Sequence, residues 1–154
     1  MKLKVSFRQL AKVALLALAA PSTAFAVLGG DVSSLQTDRM SMKATLPVAR
    51  KSANYTVHEM TTVSGVTVRE YAAPTGIVFA IAWQGRSVPD LQQLLGNYFE
   101  TYSAAANTKH AGHSHLAVRQ DKLVVMSRGH MRAFSGVAYL PDMLPSDLKE
   151  VDIK

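Results

Sequence analysis

The sequence has 154 residues, of which 17 are basic, 11 are acidic and 48% are hydrophobic, giving a formal net charge of +6. It contains no cysteine, which excludes a fold held by disulfides and a cysteine-linked lipid anchor. Beyond the first 26 residues the basic side chains are scattered rather than clustered, so the charge does not indicate a nucleic-acid-binding protein.

The first 26 residues have the pattern of a secretory signal peptide. Four basic residues precede an apolar run over 13–20, which is too short to span a membrane as a helix, and a small-x-small cleavage site ends at Ala26. We therefore expect cleavage after Ala26, a periplasmic or secreted location and no membrane span afterwards; an uncleaved anchor is the alternative. The first 26 residues contain four basic side chains, Lys2, Lys4, Arg8 and Lys12, and no acidic one. Residues 27–154 therefore carry a formal charge of only +2.

The segment after the cleavage site predicts one short helix and a linker. Asp31 can cap a helix over 32–43, which has a thin apolar stripe. Pro47 ends any helix, because its ring removes a backbone donor and clashes with the preceding turn. We expect Arg50-Lys51-Ser52 to form an exposed linker.

Three strand-like runs between residues 55 and 85 form the predicted centre of the fold. A two-residue turn at Ser64-Gly65 joins the first two runs, and a three-residue turn with a bulge at Gly76 leads to the third. The third run, 77–83, contains no polar residue, so we place it centrally in the sheet.

Those two turns determine which residues face each other across the predicted meander. Glu59 lies opposite Glu70, and Glu70 lies opposite Ala80. One face then carries both glutamates among valines and alanines, whereas the other carries His58 and Arg69 among larger apolar side chains. A shift of one residue would exchange the two faces.

The clearest helix of the sequence follows the meander. Ser87 is its predicted N-cap, with Asp90 three residues later and Pro89 in the first turn. Its apolar residues fall on one stripe at helical spacing, so the helix should pack on one face of the sheet; they are Leu91, Leu94, Leu95, Tyr98, Phe99, Tyr102 and Ala106.

The remaining chain predicts three further strands, over 116–119, 122–127 and 131–139. Pro141 and Pro145 close the ordered part, and residues 147–154 are expected to form a frayed tail, with weak docking of Leu148, Val151 and Ile153 as the alternative. The sequence therefore predicts one α+β domain over 27–146. Its largely antiparallel sheet consists of a meander of three strands and, after one main amphipathic helix packed on it, three more strands.

Six stretches of the sequence are distinctive: LGGD at 28–31, YTVHEM at 55–60, VREY at 68–71, VFAIAWQG at 78–85, PDLQQLLGNYF at 89–99 and HMRAFSGVAYLP at 130–141. In these strings the chain resembles the domain-of-unknown-function family 2844, a family of uncharacterised exported proteobacterial proteins. The resemblance covers essentially all of residues 27–154. It implies a periplasmic or secreted location and no particular activity.

The facing glutamates are the first candidate for chemistry. Like charges directly opposite each other in a sheet repel, and burial raises that cost. An arginine such as Arg128 or Arg132, a shared proton or a bound cation would relieve the repulsion. We favour an ion pair, or a register in which one carboxylate is solvated; an acid/base pair or a cation site formed by Glu59 and Glu70 is the alternative.

Histidines are the second candidate. His110, His113 and His115 place three imidazoles within six residues, and such a set can bind zinc, copper or nickel. No cysteine supports the set and its spacing matches no closed zinc site, so we favour weak or adventitious metal binding and expect no cofactor. His58 and His130 are interpreted as hydrogen-bonded structural histidines.

The candidate binding residues are therefore His58, Glu59, Glu70, His130 and Arg132. The sequence has no motif for a catalytic nucleophile, a phosphate-binding glycine loop or a dinucleotide site, so it favours a protein that is not an enzyme. We expect an exported domain that binds an envelope protein or a small ligand. A metal-handling protein or hydrolase using the two glutamates is the alternative, and a self-associating structural envelope component is a third.

Overall fold

A seven-stranded antiparallel sheet organises residues 28–108, 115–120 and 122–154, the part of the chain that the computed structural model describes. The strands are β1 Val48–Lys51, β2 Thr56–Thr61, β3 Thr67–Ala72, β4 Val78–Gly85, β5 His115–Gln120, β6 Leu123–His130 and β7 Ala133–Tyr139. The α-helices are α1 Leu35–Ser41, α2 Leu91–Leu95 and α3 Phe99–Thr108. No helix of the described residues is long and apolar enough to cross a bilayer.

The order of the strands in the sheet is β1-β2-β3-β4-β7-β6-β5. Antiparallel pairing, the α+β class and the central position of 77–83 are confirmed, since β4 lies between β3 and β7. The predicted arrangement of two three-stranded units is wrong in two respects. Residues 50–51, predicted as linker, belong to the edge strand β1, which pairs with β2. After β4 the chain also passes to the far edge of the sheet and returns through β6 to β7, which pairs with β4.

Beyond the ends of β2 and β3, the Thr62 amide still donates to the Val66 carbonyl at 2.9 Å. The loop between this last pair has three residues, 63–65, rather than the predicted two. The Gly65 amide donates to the Thr62 carbonyl at 2.9 Å, and Gly65 has a left-handed φ of +76°. A three-residue loop that ends in a left-handed glycine is a common hairpin geometry. The extra residue shifts the pairing by one position, so Glu59 faces Arg69 instead of the predicted glutamate.

The loop between β3 and β4 has the predicted three-residue form. Gly76 has a φ of +88°, and its amide donates to the Ala73 carbonyl at 2.9 Å. The pairing then skips Phe79, which shifts the register of β4 by one residue. As a result Glu70 faces Ile81, one position beyond its predicted partner.

The predicted helix after β4 is divided into two. Asp90, rather than Ser87, is the N-cap of α2, and its carboxylate accepts a hydrogen bond from a backbone amide of the first turn at 3.1 Å. Gly96, with a φ of +49°, ends α2 before the chain continues through a 3₁₀ turn into α3. Leu94 and Leu95 are fully buried, so the predicted packing of this segment on one face of the sheet is confirmed.

The two faces of the sheet are covered by different parts of the chain. The face covered by the helices, here called the helix face, has a core that includes Met60, Val68, Ile81, Trp83, Val118, Val125 and Ala138. The other face, here called the tail face, carries Tyr71, Ala80, Ala82, Val124 and Tyr139 together with residues from the end of the chain. The strands β3, β4, β6 and β7 therefore send side chains into two separate cores, one on each face.

The prediction that residues 147–154 fray is wrong. Leu148 is 6% exposed and Ile153 is 3% exposed, and both pack on the tail face. The Tyr71 hydroxyl contacts the backbone of Lys154 twice, at 3.1 Å to its carbonyl and 3.2 Å to its amide. The last residues are ordered because the tail face presents apolar surface that would otherwise be exposed to water.

One close contact joins β4, the central strand of the sheet, to its neighbour β7. Trp83 lies across Gly136 of β7, and a Cβ built on Gly136 would overlap the indole ring. The ring is buried, so it has little room to move away. This packing requires a residue without a side chain at position 136.

Replacement of Gly136 by Ala should therefore destabilise the protein, because it overpacks a buried site. We expect a loss of about 1–3 kcal/mol in the free energy of unfolding, measured by urea denaturation. Ser135→Ala, at the next position of the same strand, adds no volume and should change stability by less than about 0.5 kcal/mol. Equal stability of the two variants would contradict the close contact.

Candidate functional site

The two predicted glutamates lie on opposite faces of the sheet. Glu59 is on the tail face, where its carboxylate contacts the Arg69 guanidinium at 2.6 Å and that of Arg50 at 3.5 Å. The hydrogen bond from Arg69 lowers the pKa of Glu59, and the nearby Arg50 charge acts in the same direction. The predicted contact between glutamates is therefore wrong, whereas an ion pair with an arginine is present, although its partner is neither Arg128 nor Arg132.

Glu70 lies on the helix face, directly opposite His58 of the neighbouring strand. The Glu70 side chain is fully buried, and His58 is half-buried. Burial lowers the pKa of His58 because the imidazolium loses hydration. These two residues are neighbours on the helix face, and Glu59, on the other face, cannot join them through the sheet.

The other predicted residues lie far from this pair. His130 ends β6 and Arg132 lies in the turn before β7; both are exposed. His130 is three strands and about five residues from Glu70, which corresponds to roughly 20 Å. The predicted binding residues therefore do not form one site.

The histidine cluster is described only in part. His110 and His113 lie outside the described residues, and His115 is the exposed first residue of β5. Within the described ranges no three histidine or acidic side chains are close enough together to hold a metal ion. Metal binding by the cluster stays a prediction.

A row of polar residues crosses the tail face where the apolar core ends. Each residue of the row pairs with the next across neighbouring strands, from β3 to β5: Thr67, Gln84, Ser135, Arg128 and His115. Directly paired residues of a sheet point to the same side, so these side chains stand next to one another. The neighbouring row, which includes Ala82, Val137 and Met126, is mainly apolar.

A groove of about 560 Å³ lies between this polar row and the end of the chain. We call it the tail groove. Its sheet side consists of Trp83, Gln84, Met126, Arg128, Ser135, Gly136 and Val137, and its other wall consists of Glu150, Val151, Ile153 and Lys154. A groove with an apolar floor and polar groups at one edge is a common form of ligand site.

The tail wall is attached to the sheet by a cluster of charged and polar side chains. Glu150 accepts hydrogen bonds from Arg119, at 2.9 Å, and from the Tyr139 hydroxyl. These hydrogen bonds lower the pKa of Glu150, that from Tyr139 contributing most. Burial, followed by the hydrogen bond to Glu150, raises the pKa of Tyr139 to about 12.

The charges that remain for a ligand in the tail groove are positive. Glu150 is occupied by Arg119 and Tyr139. Neither Arg128 nor the side chain of Lys154 forms an ion pair in the described part of the chain, and both are exposed. The arrangement can hold an anionic group beside Arg128 while apolar atoms of the same molecule contact the floor.

Sequence reasoning misses this groove. It considers Arg128 only as a partner for the glutamates, and it assigns the tail to a frayed end. Gln84, Ser135 and Arg128 become neighbours only through the register of three strands, two of which are far from β4 in the sequence. The apolar residues Leu148, Val151 and Ile153 are the one signal for a docked tail, and Leu148 and Ile153 are the two that are buried.

Comparison with known proteins gives a family and no function. A family described as "Protein of unknown function (DUF2844)" matches residues 24–153. No curated protein and no solved structure matches the chain.

The ion pair of Glu59 has a testable pH dependence. Its pKa is lowered in the folded state, so its stabilising effect is present above the unfolded-state value of about 4.5 and is lost as the pH falls through the folded-state value. Glu59→Gln should therefore lose about 0.2–1 kcal/mol at pH 7, and this difference from the original protein should shrink on acidification. Denaturation at several pH values measures both effects.

Glu100→Gln is the matched control for this experiment, since Glu100 is exposed on α3 and takes part in no ion pair of the described residues. Its stability at pH 7 should change by less than about 0.5 kcal/mol. An increase in stability on Glu59→Gln would indicate repulsion at this position and contradict the ion pair.

Tyr139 should ionise at a higher pH than an ordinary tyrosine. Its pKa of about 12 means that folding favours the neutral phenol, so this stabilisation is present below pH 10 and is lost as the pH rises through about 12. In an ultraviolet absorbance titration, Tyr139→Phe should remove the ionisation near pH 12, whereas Tyr102→Phe should keep it. Persistence of that ionisation in Tyr139→Phe would contradict the assignment.

Proposed function

We propose that this chain, which belongs to the DUF2844 family of proteins of unknown function, is an exported, non-enzymatic protein that binds a small amphiphilic anion in the tail groove. The observation that carries the proposal is the tail groove itself, which combines an apolar floor with Arg128, a cation that forms no ion pair with another described residue. The signal-peptide pattern of residues 1–26 supports export.

The chemistry of the groove favours an anion with an apolar body. The Arg128 guanidinium offers several donors in a planar fork that suits carboxylate and phosphate oxygens. Met126, Val137 and Val151 supply apolar contacts beside it. A wholly apolar molecule would leave the guanidinium without a partner in a partly desolvated site, which lowers its affinity.

The alternative function, metal handling or hydrolysis with Glu59 and Glu70, has less support. Such chemistry requires the two carboxylates to act on one reacting centre. Glu59 and Glu70 extend from opposite faces of the sheet, and Glu59 is engaged with Arg69. The tail groove is the better-supported site.

Binding to the groove is followed by isothermal titration calorimetry, because the indole of Trp83, the single tryptophan of the sequence, is buried in the core on the helix face. Octanoate and octanol serve as probes, because they share an apolar chain and differ in charge. The titrations should show tighter binding of octanoate than of octanol. Arg128→Gln should weaken octanoate binding at least tenfold, in line with a hydrogen bond to a charged group, and leave octanol binding unchanged.

Lys122→Gln is the matched control, since Lys122 is exposed in the turn between β5 and β6, at the end of the sheet away from Arg128. It removes the same formal charge and should not alter octanoate binding. Equal affinity for octanoate and octanol, or equal losses in the Arg128 and Lys122 variants, would refute the proposed anion site.

A further inference from the structure

Three loops meet at the end of the sheet where β4 stops and β7 begins. They are the β2–β3 turn over 62–66, the segment 86–90 after β4, and the β6–β7 turn at Met131 and Arg132. We call this surface the loop end. A shallow cleft of about 280 Å³ between the loops is lined by Gly65, Gln84, Gly85, Arg86, Arg132, Ala133, Phe134 and Ser135, which shows that the three loops are neighbours.

Each loop presents an exposed apolar side chain to solvent. Val63 is 80% exposed, Val88 is 49% exposed and Met131, in the two-residue β6–β7 turn, is 94% exposed. Single exposed apolar residues are ordinary, but three on adjacent loop tips form a discontinuous apolar surface at one end of the molecule.

Cations surround these apolar tips. Arg86 and Arg132 line the cleft, and Arg128 stands two residues from the end of β6. None of the three takes part in an ion pair of the described residues. The acidic residue of these loops is Asp90, which caps α2 through a hydrogen bond of 3.1 Å, and the three arginines outnumber it, so the loop end has an excess of positive charge.

We propose that the loop end docks on an anionic phospholipid surface. Apolar tips enter the boundary between head groups and acyl chains, while arginines contact the phosphate layer; this combination is typical of proteins that bind to a membrane surface without crossing it. An acidic polymer without apolar groups would pair with the arginines, but it would leave the three apolar tips in water. Lipid therefore fits both features of the loop end.

Co-sedimentation with vesicles tests the proposal, using the purified protein from a host that exports it. Phosphatidylglycerol vesicles should bind the protein, phosphatidylcholine vesicles should not, and added salt should weaken binding. Because all variants share the same N-terminal region, differences between them report on the loop end alone. Inorganic phosphate at matched ionic strength should not compete.

Two substitutions separate charge from apolar insertion. Arg132→Asn should lower the vesicle partition coefficient about fivefold, as expected for one basic residue near an anionic surface. Asparagine also tolerates the left-handed backbone of position 132, φ +60°, so the turn is not strained by the change. Met131→Ser should lower partition about tenfold, because it removes an inserted apolar group.

The matched controls lie at the opposite end of the sheet. Lys122→Asn removes the same charge and Met143→Ser the same apolar side chain, and neither should alter partition. The proposal is overturned if phosphatidylglycerol vesicles do not bind, or if each control loses as much binding as its partner variant. It is also overturned if the protein does not bind vesicles but binds polyglutamate through Arg132, since that result identifies an acidic polymer as the partner.

Discussion

The register of β2 against β3 determines most of what the protein can do chemically. The left-handed Gly65 closes a three-residue loop, and this loop places Glu59 beside Arg69 on the tail face. With one residue fewer, the two glutamates would face each other, and the same strands would expose different side chains to each core. A single backbone conformation therefore decides whether this sheet carries an ion pair or a repulsive pair of carboxylates.

Coverage of the tail face explains why the groove lies where it does. Leu148 and Ile153 cover apolar rows of the sheet, and the cluster of Glu150 with Arg119 and Tyr139 attaches the segment between them. The covering stops where the sheet surface becomes polar, because burial of that row without partners would cost free energy. The groove is thus the space left where an apolar segment meets the boundary of an apolar surface.

Sequence reasoning recovers the features that depend on local chemistry. The Gly76 turn, the central apolar strand, the antiparallel α+β class and the packing of Leu94 and Leu95 all follow from nearby residues. It fails where a long-range choice decides between locally equivalent outcomes. Ser64-Gly65 fits a two-residue or a three-residue loop, and only the packing of both faces selects the latter.

The same distinction applies to the site. Each residue of the polar row is unremarkable in the sequence, since the row exists only after β7 is placed between β4 and β6. The tail has few apolar residues, and Leu148 and Ile153 become core residues only because a complementary sheet face is present. Sites formed by residues distant in sequence are therefore inaccessible to motif reasoning, even when the strands that carry them are recognised.

The tail groove and the loop end are adjoining surfaces, because Gln84 and Ser135 line both the groove and the cleft between the loops. Residues 27–154 have a formal charge of only +2. Arginines nevertheless cluster at the loop end, while the chain after β7 contains Asp142, Asp147, Glu150 and Asp152. The small net charge thus conceals an uneven distribution, and local potential rather than total charge governs which partner approaches. A groove for amphiphilic anions that opens next to a lipid-docking surface would receive such molecules directly from the membrane, where their concentration exceeds that in water.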